Sequence, residues 1–350
     1  MSAPHALFSL EELETASQLV RRTVPPTPQY AWPRLARRTG CEVWVKHENH
    51  TPTGGFKVRG GIVYMDDLRR SGAKVTGVIS ATRGNHGQSI AFSAFRAGIS
   101  ATIYVPHHNS SDQNAAMRAF GATVVEFGRD FDEALAECYR VARERDLHFI
   151  SPFNRDQVKG VASYGLELFG AIADLDTVYV PIGMGSGICG LITARDLLGL
   201  KTEIVGVVAR NAPAMALSFA AGKPVPTDSA QTFADGIATR DPRQEALTII
   251  KHGAARILQL TEDDIAEAVR AYFQDNAQCC GRRGCSPACR AYARAHSHGR
   301  KEGCGHFVRR QHRYIGPPED LGWRDAKGQL TRTRHKDAPD ASDRGDEVVE

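Results

Sequence analysis

The segment TPTGGFKVRGG, residues 51–61, sets one lysine, Lys57, between two pairs of glycines. Glycines allow tight turns and close approach of other backbone, whereas a lysine side chain usually extends into open solvent. Taken alone, the segment is compatible with a surface lysine at the start of a helix. The sequence on either side of it decides whether Lys57 instead belongs to a site inside the fold.

Short apolar runs alternate with segments of helical spacing over most of the chain. Ser9, followed by Glu12 three residues later, predicts a capping box at the first helix. The apolar runs are continuous, as expected where both faces of a sheet are covered. These runs are CEVWVKHE, VTGVISAT, SATIYVP, ATVVEFG, LHFISPF, DTVYVPIG, TEIVGVVA and ARILQLT, with helical segments such as FDEALAECYRVARERD and TEDDIAEAVRAYFQDN among them. This alternation predicts an α/β fold with parallel sheets and crossover helices.

The overall composition is that of a soluble globular protein. The chain has 350 residues, of which 42% are hydrophobic and 24% charged, enough for two ordinary domains or one large domain. Its first twenty residues lack a positive charge followed by an apolar core, and no run of eighteen apolar residues occurs. We therefore expect a cytoplasmic, enzyme-like protein with neither a secretory signal nor a membrane span.

Two glycine-rich turns follow apolar runs: ATRGNHGQ after VTGVIS, and GMGSG after DTVYVPI. In parallel α/β sheets, ligands bind beyond the carboxyl ends of the strands. Glycines there let backbone N–H groups at a helix N-terminus approach a phosphate. By itself, GMGSG is equally compatible with a phosphate site and with a tight turn.

The order and spacing of these segments resemble a known family. The chain resembles the fold-type II pyridoxal-phosphate enzymes, in the threonine/serine dehydratase branch that includes serine racemase, from residue 27 to residue 276. The resemblance rests on KHENHTPTGGFKVRGG, SATRGNHGQSIA, FGATVVEFG, FISPFN, YVPIGMGSGICG and TFADGIA. It implies a tryptophan-synthase-β-like fold of two parallel-type α/β domains with the active site between them. The large domain is expected over 1–65 and 150–276, and the small inserted domain over 66–149.

For Lys57 the resemblance implies a covalent role. This lysine is implied to hold pyridoxal 5'-phosphate as a Schiff base and later to move the α-proton of the substrate. In a partly desolvated pocket the ammonium form is disfavoured, so the amine is available as nucleophile and base. Phe56 is implied to wall the same pocket.

The phosphate of the cofactor is implied to lie in a backbone cradle. The cradle consists of Gly183, Met184, Gly185, Ser186 and Gly187. The family usually has a run of glycines here, from which Met184 and Ser186 depart. Because main-chain N–H groups form such a cradle, side chains that point away are tolerated, and the Ser186 hydroxyl can add a contact.

The TRGNHG turn is implied to bind the substrate carboxylate through backbone amides and a hydroxyl. Its residues are Thr82, Arg83, Gly84, Asn85 and His86. Asn85 is also implied to hydrogen-bond the phenolic oxygen of the cofactor, the alternative being a capped turn before a helix. Arg83 stands where racemases of this branch have a serine base. A guanidinium stays protonated and is a poor proton acceptor, which favours elimination over racemisation.

A divalent-cation site of the kind found in some relatives is not expected. Val208 stands where those relatives have a glutamate, and an apolar side chain cannot ligate a hard cation. Asp235, in the FADGIA segment, is assigned no catalytic role.

The reaction implied by the resemblance is α,β-elimination from a hydroxy amino acid, with L-threonine converted to 2-oxobutanoate and ammonia. The alternatives are a serine racemase or a 3-hydroxyaspartate ammonia-lyase of the same family, or an inactive protein with a relic site. The expected partner is a small amino acid, with no nucleic acid and no membrane. A homo-oligomer is expected if the C-terminus is intact.

Residues 277–315 differ from all that precedes them. They hold nine Lys/Arg, one acidic residue and five of the eight cysteines, so their net charge of +8 leaves −4 for the rest of the +4 chain. A zinc site is disfavoured because its candidate ligands have irregular spacing. Those candidates are Cys285, Cys289, His296 and Cys304. A basic nucleic-acid patch is equally disfavoured, since interleaved aromatic residues and regular periodicity are lacking.

A one-base change of reading frame accounts better for this segment. QCCGRRGC, back-translated and read one base later, can spell NVAEGAG, and RKEGCGHFVRRQHRY can spell ARKVAVISSGGNID. Both strings match what dehydratases of this family have after their last long helix. We therefore expect residues 277–350 to be an aberrant, disordered tail. The chain as written would then lack a strand that covers an edge of the large sheet, and it would fold poorly.

Overall fold

The computed structural model describes residues 7–275 together with the backbone of His306–Arg310. All of these residues fall within one compact unit. The zinc ligands considered above, and most of the region assigned to a shifted frame, lie outside the described residues. The predicted division at residues 66–149 stays a prediction.

Helices and strands alternate as the apolar pattern predicts. The strands are β1 Gln29–Ala31, β2 Glu42–Lys46, β3 Val78–Ala81, β4 Ala101–Val105, β5 Thr123–Glu126, β6 His148–Phe149, β7 Thr177–Pro181, β8 Glu203–Ala209, β9 Ala254–Leu260 and β10 His306–Arg310. The helices are α1 Leu10–Arg21, α2 Pro33–Thr39, α3 Lys57–Arg70, α4 Asn85–Ala97, α5 Ser111–Ala119, α6 Phe131–Glu144, α7 Arg155–Ala171, α8 Ser186–Leu197, α9 Ala214–Ala221, α10 Gln244–Gly253 and α11 Glu262–Asp275. Short 3₁₀ turns cover Glu48–His50 and Asp235–Ile237.

The strands form two sheets, which confirms the α/β fold class. The smaller sheet is parallel throughout, in the order β5-β4-β3-β6. The larger sheet has the order β1-β2-β10-β7-β8-β9. Its β7, β8 and β9 are parallel, whereas β1, β2 and β10 pair antiparallel. Parallel strands need crossover connections, and the intervening helices supply them.

The smaller sheet has apolar packing on both faces, as its continuous apolar strands predict. Successive residues of β3 enter different cores: Val78 packs in a cluster with Ile90 and Met117, and Ile79 packs in another cluster with Leu135. In a strand, neighbouring side chains point to opposite faces. Both faces of this sheet are therefore covered by helices.

Helices α3 and α7 cross at glycines, and this crossing sets the position of α3. A Cβ atom at Gly60 would lie 2.6 Å from the Gln157 carbonyl oxygen, and one at Gly160 would lie 2.3 Å from the Arg59 carbonyl oxygen. Such distances permit no side chain, so the two backbones are in direct contact. The first residue of α3 is Lys57.

Two local expectations have a clear outcome. The capping box at α1 is confirmed, because Ser9 and Glu12 exchange backbone–side-chain hydrogen bonds of 2.8 and 3.1 Å. A strand partner was not expected from the chain as written, yet β10 lies between β2 and β7 and pairs with both. Because β10 lies between them, neither β2 nor β7 is an edge strand. The hydrogen bonds between strands join backbone groups, so they do not require particular side chains. Among the described helices, none has the length and apolar character to cross a membrane.

Candidate active site

The predicted site residues all line one cavity of about 480 Å³. The segments that meet there are the start of α3, the turn before α4, the turn before α8 and the loop from residue 228 to residue 243. The predicted residues on its wall are Phe56, Lys57, Thr82, Arg83, Gly84, Asn85, His86, Gly183, Met184, Gly185, Ser186 and Gly187. Asp235, assigned no role, lines it as well. Sequence motifs more than a hundred residues apart therefore form one site.

Lys57 reaches across the cavity toward the turn before α8. Its Nζ donates to the Ser186 hydroxyl at 2.7 Å and to the Pro152 carbonyl at 3.3 Å. Burial lowers the pKa of Lys57 to about 8. Desolvation disfavours the ammonium form, so a substantial fraction of this side chain is a neutral amine near pH 8. A neutral amine is the form that attacks an aldehyde.

The turn from Gly183 to Gly187 fits a phosphate. A Cβ at Gly183 would lie 2.4 Å from the Gly236 carbonyl oxygen, and Gly185 has φ +98°, a conformation that favours glycine. Gly185 is also the N-cap of α8, and as a glycine it has no side chain to cap this helix end. Its first N–H groups are therefore available to an anion, which the helix dipole also favours.

The ring of Phe56 forms the wall between Lys57 and this cradle. It packs against Tyr164 with ring centroids 5.9 Å apart, and a Cβ at Gly187 would lie 3.2 Å from its Cζ. The Tyr164 hydroxyl in turn donates to the Gly187 carbonyl at 2.8 Å. The cradle, the aromatic wall and the lysine are thus held together by direct contacts.

Asn85 approaches the lysine loop because Gly55 has no side chain. A Cβ at Gly55 would lie 2.5 Å from the Asn85 Nδ2, and this Nδ2 donates to the Thr53 carbonyl at 3.3 Å. The Thr82 hydroxyl accepts from the Gly84 amide at 3.0 Å, so it shapes the turn from within. The turn brings its backbone to the same cavity as Lys57.

His86 is held neutral and in one tautomer. The Ser80 hydroxyl gives its single proton to the Ile150 carbonyl at 2.7 Å, so its oxygen accepts from the His86 Nε2 at 2.9 Å. Nε2 then carries the ring proton. Burial, together with the positive charge of Lys57, lowers the pKa of His86 to about 3. A neutral imidazole adds no charge to the cavity.

Arg83 brings a cation to the cavity wall. Its Nε is buried and has no hydrogen-bond partner among the described residues, although the side chain as a whole is only half-buried. A guanidinium donor without a protein acceptor is suited to an anionic group on a bound molecule.

At the mouth of the cavity, Arg240 bridges to the start of α6. Its Nη2 lies 3.1 Å from Asp130 Oδ2 and also contacts Asp132. We call these three residues the rim. Sequence reasoning missed the rim, because Arg240 is separated from Asp130 and Asp132 by more than a hundred residues.

Behind Lys57 lies a group of charges that sequence reasoning also missed. It consists of Lys46, Glu48, Arg59 and Glu167, and we call it the buried charge cluster. Its only sequence signal is that Lys46, Glu48 and Arg59 lie in the KHENHTPTGGFKVRGG segment, while Glu167 lies far from that segment in the chain. In the part of the chain that the structure describes, no group of three or more acidic, cysteine or histidine side chains is arranged to hold a metal ion.

The chain matches the family described as "Pyridoxal-phosphate dependent enzyme" over residues 20–303. It is 34% identical over 263 residues to L-threonine ammonia-lyase of Geobacter sulfurreducens, covering 75% of this chain and 65% of that protein. A second relative is the biosynthetic L-threonine dehydratase of Pasteurella multocida, 31% identical over 71% of this chain and 48% of its own length. The chain therefore spans less than two thirds of the length of the first relative and about half that of the second.

Solved structures with similar folds include proteins of the same kinds. The processed form of threonine deaminase isoform 2 from Solanum lycopersicum superposes with a TM-score of 0.70 at 27% identity, covering 78% of this chain and 81% of that one. Maize serine racemase superposes with a TM-score of 0.73 at 22% identity, covering 77% and 81%. The second likeness shows only that the two proteins share a fold.

Proposed function

Since this chain belongs to the pyridoxal-phosphate dependent enzymes, we propose that it catalyses α,β-elimination from a β-hydroxy amino acid, with L-threonine converted to 2-oxobutanoate and ammonia. The observation that carries this proposal is the amine of Lys57, which faces the glycine-rich turn before α8 within one cavity. The names of the sequence relatives support threonine as the substrate.

The residues around the cavity fit the cofactor of the family. Lys57 is proposed as the covalent attachment point, and the turn from Gly183 to Gly187 as the phosphate site. Asn85 is proposed to contact the ring of the cofactor. When bound, pyridoxal phosphate supplies an electron sink that stabilises negative charge at the substrate Cα.

Lys57 is also proposed as the general base. Its pKa of about 8 lies close to the pH at which a base is most effective, since it is then often unprotonated but still basic. Nζ takes the proton from the substrate Cα and holds it as an ammonium. Ser186 Oγ, 2.7 Å away, can accept a hydrogen bond from that ammonium. The β-hydroxyl takes up a proton and leaves as water, and the resulting enamine is hydrolysed by water to the 2-oxo acid and ammonia.

The turn before α4 is proposed to bind the substrate carboxylate. Its backbone amides lie at the N-terminus of α4, where the helix dipole favours an anion. Arg83 lines the same wall and adds a positive charge. Because a guanidinium does not accept a proton, Arg83 cannot act as a second base on the opposite face of the substrate. This argues for elimination rather than racemisation.

A second candidate is the elimination of ammonia from 3-hydroxyaspartate. The buried Nε of Arg83, which has no hydrogen-bond partner among the described residues, supports this candidate because it could bind a second carboxylate. Serine racemisation is the remaining alternative within the family, and an inactive relic is the alternative outside catalysis.

Product analysis separates these candidates. The purified chain, loaded with pyridoxal phosphate, is incubated in turn with L-threonine, L-serine and threo-3-hydroxyaspartate. We expect 2-oxobutanoate and ammonia from L-threonine as the fastest reaction. Faster release of ammonia from 3-hydroxyaspartate would favour the second candidate. D-serine without pyruvate would favour a racemase, and no product from any substrate would favour the relic.

The C-terminal region carries a separate proposal. We propose that the coding frame changes by one base near Gln278, because the cysteine-rich and basic residues after it contrast with the body of the chain. Sequencing the gene across this position tests the proposal, and an unbroken frame that encodes the printed residues would refute it. For the protein with the family's C-terminus, we further propose a cytoplasmic location and a homo-oligomer. Size-exclusion chromatography with light scattering tests the oligomer.

A further inference from the structure

The buried charge cluster contains two cations and two anions joined by direct hydrogen bonds. Arg59 binds Glu48 through Nε at 2.8 Å and Nη2 at 3.0 Å, and it binds Glu167 through Nη1 at 2.7 Å and Nη2 at 2.9 Å. Lys46 Nζ lies 2.6 Å from Glu167 Oε2. The guanidinium thus holds both carboxylates in fixed directions, as its planar fork allows.

The cluster is completely withdrawn from solvent. The four side chains are 0–3% exposed, and their charges sum to zero. Their remaining hydrogen-bonding capacity is used by neighbours: Thr27 donates its hydroxyl to Glu48 at 2.7 Å, and Ser163 contacts Arg59 at 3.1 Å. Burying charges gains little stability over well-packed apolar side chains. The cluster therefore contributes directed geometry rather than stability alone.

This geometry acts on the helix that carries Lys57. The members of the cluster come from β2, the 3₁₀ turn that follows it, α3 and α7. Arg59 lies two residues after Lys57 in α3, and the N-cap residue of that helix, Phe56, makes no side-chain capping hydrogen bond. A rotation or slide of α3 would break several charged hydrogen bonds at once. It would also carry the amine of Lys57 away from Ser186.

We propose that the buried charge cluster is a positioning group for Lys57: its hydrogen bonds fix the rotation of α3, and its zero net charge adds no field of its own at the amine. The inference rests on the proposed role of Lys57 as the cofactor lysine and not on the identity of the amino-acid substrate. Lys46, Glu48, Arg59 and Glu167 touch neither cofactor nor substrate in this scheme, and they act through α3.

The groups in contact with the amine of Lys57 supply no charge, and the charged side chains elsewhere on the cavity wall, such as Arg83, are the same in every variant below. His86 on α4 is neutral because burial and the nearby lysine hold its pKa at about 3. Cys189 on α8 stays a thiol because burial raises its pKa. Ser186 and the Pro152 carbonyl contribute only dipoles. A net charge introduced into the cluster should therefore be felt at the amine without compensation from these neighbours.

The test is a charge cycle measured by the pH dependence of pyridoxal phosphate capture. Glu167→Gln leaves the cluster at +1, Lys46→Met leaves it at −1, and the double variant returns it to zero. An uncompensated unit charge in the poorly solvated interior is only weakly screened, so we expect it to change the pKa of the amine by up to about one pH unit. We expect the pKa in the rate profile, about 8 in the wild type, to fall in Glu167→Gln and to rise in Lys46→Met.

In the double variant we expect that pKa to return to the wild-type value. Lys201→Met removes an exposed lysine and serves as the control, with no change expected. Arg59→Lys keeps the charge but loses the fork, so we expect an unchanged pKa with pyridoxal phosphate bound at least tenfold more weakly. If Glu167→Gln or Lys46→Met does not fold, Arg59→Lys and the double variant still test the inference.

The outcomes are distinct. Shifts of equal sign in Glu167→Gln and Lys46→Met, or none in either folded variant, would overturn the electrostatic part of the inference. Unweakened binding of pyridoxal phosphate by folded Arg59→Lys would overturn the positioning part. A wild-type chain that captures no pyridoxal phosphate at Lys57 would instead contradict the proposed function on which the inference rests.

Discussion

Charged residues surround the cavity in two settings that differ in burial. Behind Lys57, the cluster of Lys46, Glu48, Arg59 and Glu167 is 0–3% exposed, whereas the rim side chains of Arg240, Asp130 and Asp132 are 31–41% exposed. Both sets form ion pairs at similar distances. The difference teaches that ion pairs of similar geometry can contribute very differently to stability. Removing one member of a buried pair leaves an uncompensated buried charge, whereas water screens the members of an exposed pair.

The largest effect is expected from removing the arginine of the buried charge cluster. Arg59→Met leaves Glu48 and Glu167 in the interior without their guanidinium. We expect a loss of about 3–5 kcal/mol in the free energy of unfolding, because uncompensated buried charges are strongly destabilising. Denaturant unfolding followed by circular dichroism measures this loss. A variant as stable as the wild type would show that the cluster is solvated in solution and that the contrast with the rim does not hold.

The next largest effect is expected at low pH, where the lowered pKa of His86 on the cavity wall reduces the stability of the fold. Its pKa is lowered from 6.5 to about 3 in the folded protein, so the unfolded chain binds a proton below pH 6.5 that the folded chain does not. Stability is therefore fully present above pH 6.5 and is lost as the pH falls toward 3. At pH 4 we expect this group to cost about 3 kcal/mol, an order-of-magnitude value. His86→Gln should lose correspondingly less stability between pH 7 and pH 4 in urea titrations, and equal losses would contradict the assignment.

Gly183→Ala tests the phosphate cradle, which is formed by backbone groups rather than by charged side chains. The new Cβ would lie 2.4 Å from the Gly236 carbonyl oxygen, so one of the two loops must move. We expect binding of pyridoxal phosphate to weaken about 100-fold, which corresponds to about 2.7 kcal/mol. Gly170→Ala is the matched control, since a Cβ there meets no atom within 4 Å. Fluorescence titration of both variants measures the affinities, and equal affinities would argue against a cradle at this turn.

The smallest effect is expected at the rim. Arg240→Ala removes the contacts to Asp130 and Asp132, and we expect less than about 1 kcal/mol of lost stability because exposed ion pairs are screened. The same measurement in 0.05 M and 1 M salt should show the difference between variant and wild type shrinking at high salt. A loss as large as that of Arg59→Met would remove the distinction between the two settings.

Much of the fold and site could be predicted from local sequence, and the reason is physical. Continuous apolar runs such as those of β3 and β7 define buried parallel strands without knowledge of their neighbours. Gly183 and Gly185 satisfy close-approach and positive-φ requirements that only glycine meets, so they are visible in the sequence. Lys57 stands out because it is embedded in such a turn.

The parts that could not be predicted depend on tertiary contacts. Lys46 meets Glu167 across 121 residues, and Arg240 meets Asp130 across 110 residues. No periodicity or turn chemistry encodes these pairings, so each residue taken alone looks like an ordinary charged side chain. Likewise, β10 joins the larger sheet through backbone pairing in a region whose composition suggests no strand. The sequence therefore reveals the residues that a turn or strand requires, but it reveals little about which distant residues come into contact.

The central claim is that the amine of Lys57 holds the cofactor, and one measurement tests it directly. The chain is incubated with pyridoxal phosphate, reduced with borohydride and digested, and the labelled peptide is identified by mass spectrometry. The account predicts a single label on Lys57, with the visible absorbance band of the bound cofactor lost in Lys57→Ala. A label on another lysine, or no label on a folded chain in excess cofactor, would contradict it.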